Sequence, residues 1–151
     1  MTMWTLRSED RLHEWKLFRS SLDALTFEQA LQKTVTLWSF APIVAHYLDR
    51  IDPAQWPTPW ELVSENNFDD IGKAVGMIYT LSLSSHRKNH SFQLLSASTN
   101  SGLENYNLVS IDEGKYILNF TFNEVISNSQ IDTILTTTKI YTELDLKLSN
   151  Y

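Results

Sequence analysis

Apolar residues at Leu12, Trp15, Phe18, Leu22 and Leu25 recur at spacings of 3, 3, 4 and 3, a single stripe on a helix that Ser8 can cap. Thr26-Phe27-Glu28-Gln29 has the form of a capping box, so a second helix is predicted to begin there. Its inward face reads Phe27, Ala30, Leu31, Val35, Trp38, Ala45 and Leu48, with Pro42 kinking it or dividing it near Phe40. Asp52-Pro53 and Trp56-Pro57-Thr58-Pro59-Trp60 then interrupt the helical pattern, because each proline lacks a donor and biases its predecessor away from helix. Thr58 as N-cap with Pro59 in the first helical position suits a short helix through Trp60, Leu62 and Val63, ended by the polar run Ser64 to Asn67. Asp69 and Asp70 put negative charge where a further helix would start, with Ile71, Ala74, Val75, Ile78 and Leu81 as its apolar face. Gly72 and Gly76 on that helix either admit another backbone closely or simply weaken it.

After a polar linker from Ser84 to His90 the pattern changes to alternation rich in β-branched residues. Strands are predicted over Ser91 to Ala97, Asn105 to Ile111, Lys115 to Phe122 and Thr133 to Leu144. Asp112-Glu113-Gly114 is a hairpin turn, since glycine tolerates the positive φ that tight turns demand. Alternation would send Tyr116, Leu118 and Phe120 to one face and Ile117, Asn119 and Thr121 to the other. The expectation is a single α+β domain over residues 1–151, helical over 8–83 and mainly β over 91–144, its helices packed on a small antiparallel sheet.

All five Trp fall within the first 60 of 151 residues, and at least three of them should be mostly buried. A 42% hydrophobic and 20% charged composition excludes a disordered tail or a collagen-like fibre. Twelve Lys plus Arg against 18 Asp plus Glu, a formal charge of −6, makes nucleic acid an unlikely partner. The absence of cysteine removes disulfides, thiolate metal sites and thiol nucleophiles. Met1 to Asp10 lacks the basic start and apolar run of a signal peptide, as expected of a cytosolic protein, and no segment has the apolar length of a membrane span.

The candidate chemistry is sparse. His86 and His90 are four apart, but Arg87 and Lys88 between them oppose a cation, and a solvated linker is the stronger reading. His13 and His46 fall inside predicted helices, where packing or surface roles are expected. There is no Gly-x-Ser-x-Gly elbow, and the four glycines have no phosphate-binding spacing. Asp69-Asp70 and Asp112-Glu113 stand where helix starts and turns ordinarily place acids. No catalytic residue, metal site or cofactor is expected.

Asn66-Asn67-Phe68-Asp69-Asp70-Ile71-Gly72-Lys73-Ala74, preceded by the Trp-containing segment and followed by Tyr106 to Phe120, resembles the transglutaminase-like branch of the papain-like fold over about half of the chain. In that family a helix opens with Cys, and later strands bear His and then Asp. The resemblance implies that Phe68 stands at the thiol position and Asn105 or Asn107 near that of the imidazole, so the fold would persist as a pseudoenzyme without acyl transfer. Asp52 to Leu62 followed by Gly76 to Leu81 is also similar to small proteins encoded by tailed bacteriophages. That likeness implies a structural or assembly protein of the virion neck, tail or baseplate, present in the host cytoplasm during assembly. Its partners would be other virion proteins or further copies of itself, with no membrane involved. Trp56, Pro57, Pro59 and Trp60 are the candidate anchors, one Trp in the core and the other accessible. The alternatives are a small transglutaminase-like hydrolase or acyl transferase with another catalytic arrangement, or an intracellular regulatory binding module.

Overall fold

The computed structural model describes residues 2–44 and 52–151. Helix α1 spans Ser8–Leu22, α2 Phe27–Ser39, α3 Pro59–Glu65 and α4 Asp70–Ser82. The strands are β1 Phe92–Thr99, β2 Asn105–Ile111, β3 Tyr116–Leu118 and β4 Leu135–Tyr141, in one antiparallel sheet of order β3-β2-β1-β4. The α+β expectation is met, with helices in the N-terminal half and the sheet in the C-terminal half. Among the described residues no helix is long and apolar enough to cross a membrane.

Local chemistry accounts for the helix ends. Thr26 and Gln29 close the expected capping box on α2, and Thr58 and Glu61 close another on α3 behind Pro59. α2 stops at Ser39, two residues short of Ala41 and before Pro42; the expected inward residues Ala45 and Leu48, like His46, lie outside the described residues. The cap of α1 is Arg7 rather than Ser8, whose hydroxyl instead donates to the Ser64 carbonyl at 2.9 Å. Arg11, a charged residue on the apolar stripe, is buried because it closes the C-terminus of α3, its Nε donating to Val63 O and its Nη2 to Ser64 O, both at 2.7 Å.

The main core lies between the helices and one face of the sheet. Trp4, Trp15 and Trp38 are buried in it, Trp56 is half-buried and Trp60 is 43% exposed. Thr80 Oγ1 accepts from Trp15 Nε1 at 3.1 Å and Trp38 Nε1 at 2.8 Å while donating to Gly76 O at 2.7 Å. The close approach at Gly76 is therefore to the Trp38 indole, not to another backbone: a Cβ there would lie 2.3 Å from Trp38 Cη2.

Two expectations for the second half are corrected. The third strand ends at Leu118 because Asn119 has φ 71°, which breaks the alternation. Phe120 consequently leaves the Tyr116–Leu118 side and packs with Ile117 in a second cluster on the other sheet face, with Ala97, Leu108, Ile126 and Ile131. Nor is Ser84 to His90 a free linker. Ser85–Asn89 forms a 3-10 helix, the His86 ring nitrogen lies 2.9 Å from Leu22 O, and His90 stacks on Phe27 while bonding Asp112 at 2.7 Å. Packing immobilises both imidazoles.

Candidate functional site

The chain between α3 and α4 sets the position of the site. α3 ends with Asn66 in the left-handed region at φ 58°, which turns the backbone sharply. Phe68 then bridges to Ile43 and is fully buried, its ring 5.2 Å from that of Trp4 and 5.0 Å from that of Trp38. Pinned there, Phe68 makes the following two residues emerge at the sheet. Asp69 caps α4, accepting from Gly72 N at 2.7 Å, and Asp70 is the first helical residue.

Asp70 meets two asparagines from the sheet. One carboxylate oxygen accepts from the Asn107 backbone N–H at 3.1 Å and from Asn107 Nδ2 at 3.0 Å. The other accepts from Asn119 Nδ2 at 3.1 Å, and that same amide nitrogen lies 2.8 Å from Asn107 O. Asn107 is buried on β2, and its remaining acceptor Oδ1 is 3.4 Å from the Ser96 hydroxyl on β1. The left-handed backbone of Asn119 sends its side chain into this group, a conformation that asparagine tolerates better than most residues. Lys73, one turn along α4, reaches toward Ser39 O at 3.5 Å. Burial pushes its ammonium below the ordinary lysine range, and the nearby Asp70 charge opposes that shift.

The arrangement fixes the Asp70 carboxylate at the start of α4 with three N–H donors, one from the β2 backbone and two from side-chain amides. The group consists, among the described residues, of one carboxylate and two side-chain amides, with the Ser96 hydroxyl at its edge. Among the described residues no three His, Cys, Asp or Glu side chains converge as metal ligands.

Beside this group a cavity of about 260 Å³ opens on the sheet, lined by Ser96, Ala97, Asn105, Tyr106, Thr138, Lys139 and Tyr141. The ladder between β1 and β4 shifts register between Ser96 and Ala97, leaving Thr138 unpaired, and its hydroxyl donates to Ser96 O at 3.1 Å.

The residues expected from sequence are thus redistributed. Phe68 is a core residue, not the group at the helix opening; Asp70 occupies that place. Of the two asparagines suggested for the imidazole position, Asn107 joins the group and Asn105 lines the adjoining cavity. Asn119, unmarked in the sequence reading, completes it. Of the proposed anchors, Pro59 is buried at the start of α3, the Pro57 carbonyl accepts from the Tyr79 hydroxyl at 3.0 Å, and the Trp60 ring meets Tyr151 edge-on at 5.7 Å. The Trp56 ring lies 5.3 Å from that of Tyr141, one of the residues lining the cavity.

No protein-family profile and no curated protein matches the sequence. Solved structures do. LapG of Legionella pneumophila superposes with a TM-score of 0.69 over 95% of this chain and 84% of LapG, at 13% identity. Its calcium-bound form gives 0.65 over 91% and 81%, at 11% identity. Its EGTA-treated form gives 0.65 over 89% and 77%, at 12% identity. These neighbours correct the expectation of a virion neck, tail or baseplate component, for which nothing in the comparisons speaks. They favour the alternative that rested on the transglutaminase-like resemblance. At these identities the likeness shows the fold alone: the helical half and the sheet of this chain share the fold of LapG, which is transglutaminase-like and papain-like.

Proposed function

We propose that the chain is a transglutaminase-like domain that binds an extended polypeptide beside the opening of α4 without cleaving or transferring it. The observation that carries this reading is the Asp70 carboxylate at the first position of α4, held by three N–H groups of Asn107 and Asn119. Both carboxylate oxygens are occupied as acceptors, and neither amide side chain can take up a proton. The second reading, hydrolysis, is favoured by the fold together with the paired acids Asp69 and Asp70 at a helix start.

Incubation with an activated-ester acyl probe and a pool of short peptides separates the two. The wild-type protein is expected to show neither covalent labelling by mass spectrometry nor peptide turnover. Phe68→Cys should stay silent as well, because its side chain is fully buried. Joint replacement Asp70→Cys and Asn107→His, which puts a thiol and an imidazole where donor and acceptor now stand 3.0 Å apart, should label measurably. Stoichiometric labelling of wild type, or turnover abolished by Asp70→Asn, would establish hydrolysis instead.

A further inference from the structure

We propose that the cavity beside the Asp70–Asn107–Asn119 group is a carboxylate-binding pocket, with Lys139 as its cation, that selects an acidic group on the bound polypeptide. This deepens the reading of the fold as a peptide-binding domain and rests on it.

On the sheet face that carries the main core, the cavity meets the Tyr141 ring, the Ser96 hydroxyl, the exposed Asn105 amide and the Lys139 ammonium, while the lining residues Ala97 and Tyr106 turn their side chains into the cluster on the other face. Lys139 faces the same side of the sheet as Ser96, its ladder partner, because the extra residue Thr138 resets the alternation just before it. Its ammonium sits 4.7 Å from the centre of the Tyr141 ring, which places the charge of this exposed lysine beside the cavity. The salt bridges formed among the described residues do not include Lys139, so its charge is not already spent on an acid.

The polar groups already present define the ligand. The Ser96 hydroxyl makes only a long 3.4 Å contact to Asn107 Oδ1, and a carboxylate oxygen would be a better acceptor for it. A cation and a hydroxyl on ladder partners beside the Tyr141 ring match one carboxylate carried on a short stem. About 260 Å³ holds an amino-acid side chain or a chain terminus, not a folded element. The acids nearest the site are committed elsewhere, Asp70 to the asparagines and Glu104 to the Tyr106 hydroxyl at 2.6 Å. In a chain of net charge −6, a pocket that attracts an acid is a local departure from the overall field.

The same carboxylate could be an acidic side chain or a peptide C-terminus. Four tripeptides distinguish them: acetyl-Ala-Glu-Ala-amide, acetyl-Ala-Gln-Ala-amide, acetyl-Ala-Ala-Ala with a free C-terminus, and its C-terminal amide. Each is titrated into the full chain at low and at physiological salt, with amide chemical shifts as the readout. Peptides with a carboxylate should perturb residues 96, 105 and 139 and bind about tenfold more tightly than their neutral counterparts, a preference weakened by salt. Lys139→Met should erase that preference without loss of folding, whereas Lys16→Met on the exposed side of α1 should leave it intact. A preference shown by one carboxylate peptide alone identifies the source. Equal binding of neutral and acidic peptides at these residues, or a preference unchanged in Lys139→Met, overturns the carboxylate pocket and leaves peptide binding standing. Binding of none of the four overturns both, and cleavage of a bound acidic peptide overturns only the non-catalytic reading.

Discussion

Replacing Thr80 by valine is expected to destabilise the protein by about 2 to 4 kcal/mol, lowering the melting temperature by roughly 5 to 15 °C for a chain of this size. The exchange conserves shape and removes only the hydroxyl. That oxygen is the shared acceptor of two indole N–H groups, from Trp15 and Trp38, whose side chains are fully buried. Both donors would lose their partner in a site that water does not reach, and each orphaned donor costs about 1 to 3 kcal/mol. Thr80→Ser keeps the oxygen and loses a methyl group, so it should cost about 1 kcal/mol. Thermal or urea unfolding of the pair decides the matter: if valine and serine were equally costly, the methyl and not the hydroxyl would be what the core needs there.

Gly76→Ala should cost about 2 to 3 kcal/mol, although alanine favours a helix interior by about 1 kcal/mol over glycine. The new methyl would meet three atoms of the Trp38 six-membered ring at 2.3 to 2.5 Å. The indole cannot step aside easily. Its nitrogen is bonded to Thr80 at 2.8 Å, and its rings touch Trp4 and Phe68 at centroid distances of 4.8 and 5.0 Å. Combining Gly76→Ala with Trp38→Phe should recover part of the loss relative to the sum of the single substitutions, since the smaller ring makes room for the methyl. Strict additivity in denaturant midpoints would show that the two positions do not compete for space.

These two sites mark where sequence reading reached and where it stopped. The apolar stripes of α1, α2 and α4 and the capping boxes are local regularities spanning one or two helical turns, and they place the helices without tertiary information. The Asp112-Gly114 turn likewise fixed the pairing of Ile111 with Tyr116. The function of Thr80, by contrast, depends on donors 42 and 65 residues away in the chain. Arg11 looks like a surface charge until Val63 and Ser64 supply its acceptors. At the site, the resemblance pointed to the segment before α4 and named Phe68, whereas the residue that meets the sheet there is Asp70. The two lie two residues apart, and only the burial of Phe68 against Trp4 and Trp38 shows which one faces the strands. Asn119 gave no signal beyond being an asparagine in a run that otherwise alternates, because left-handed backbone at one residue leaves no periodicity to read.

That left-handed residue also ties the site to the stability of one particular segment. Beyond Asn119 the chain crosses to the outer sheet face, where Phe120, Ile126 and Ile131 cover Leu108 and Ile117 in a cluster much smaller than the main core. A cover with so few buried side chains should open and reclose locally while the helices stay folded, once the Asn123 bonds to Thr36 and Ser39 of α2 release. Each opening would withdraw the Asn119 amide from Asp70 and leave that carboxylate held by Asn107 alone. The outer cover therefore acts as a clamp on the site from the opposite side of the sheet, and amide exchange in residues 119–134 would time how often the clamp releases.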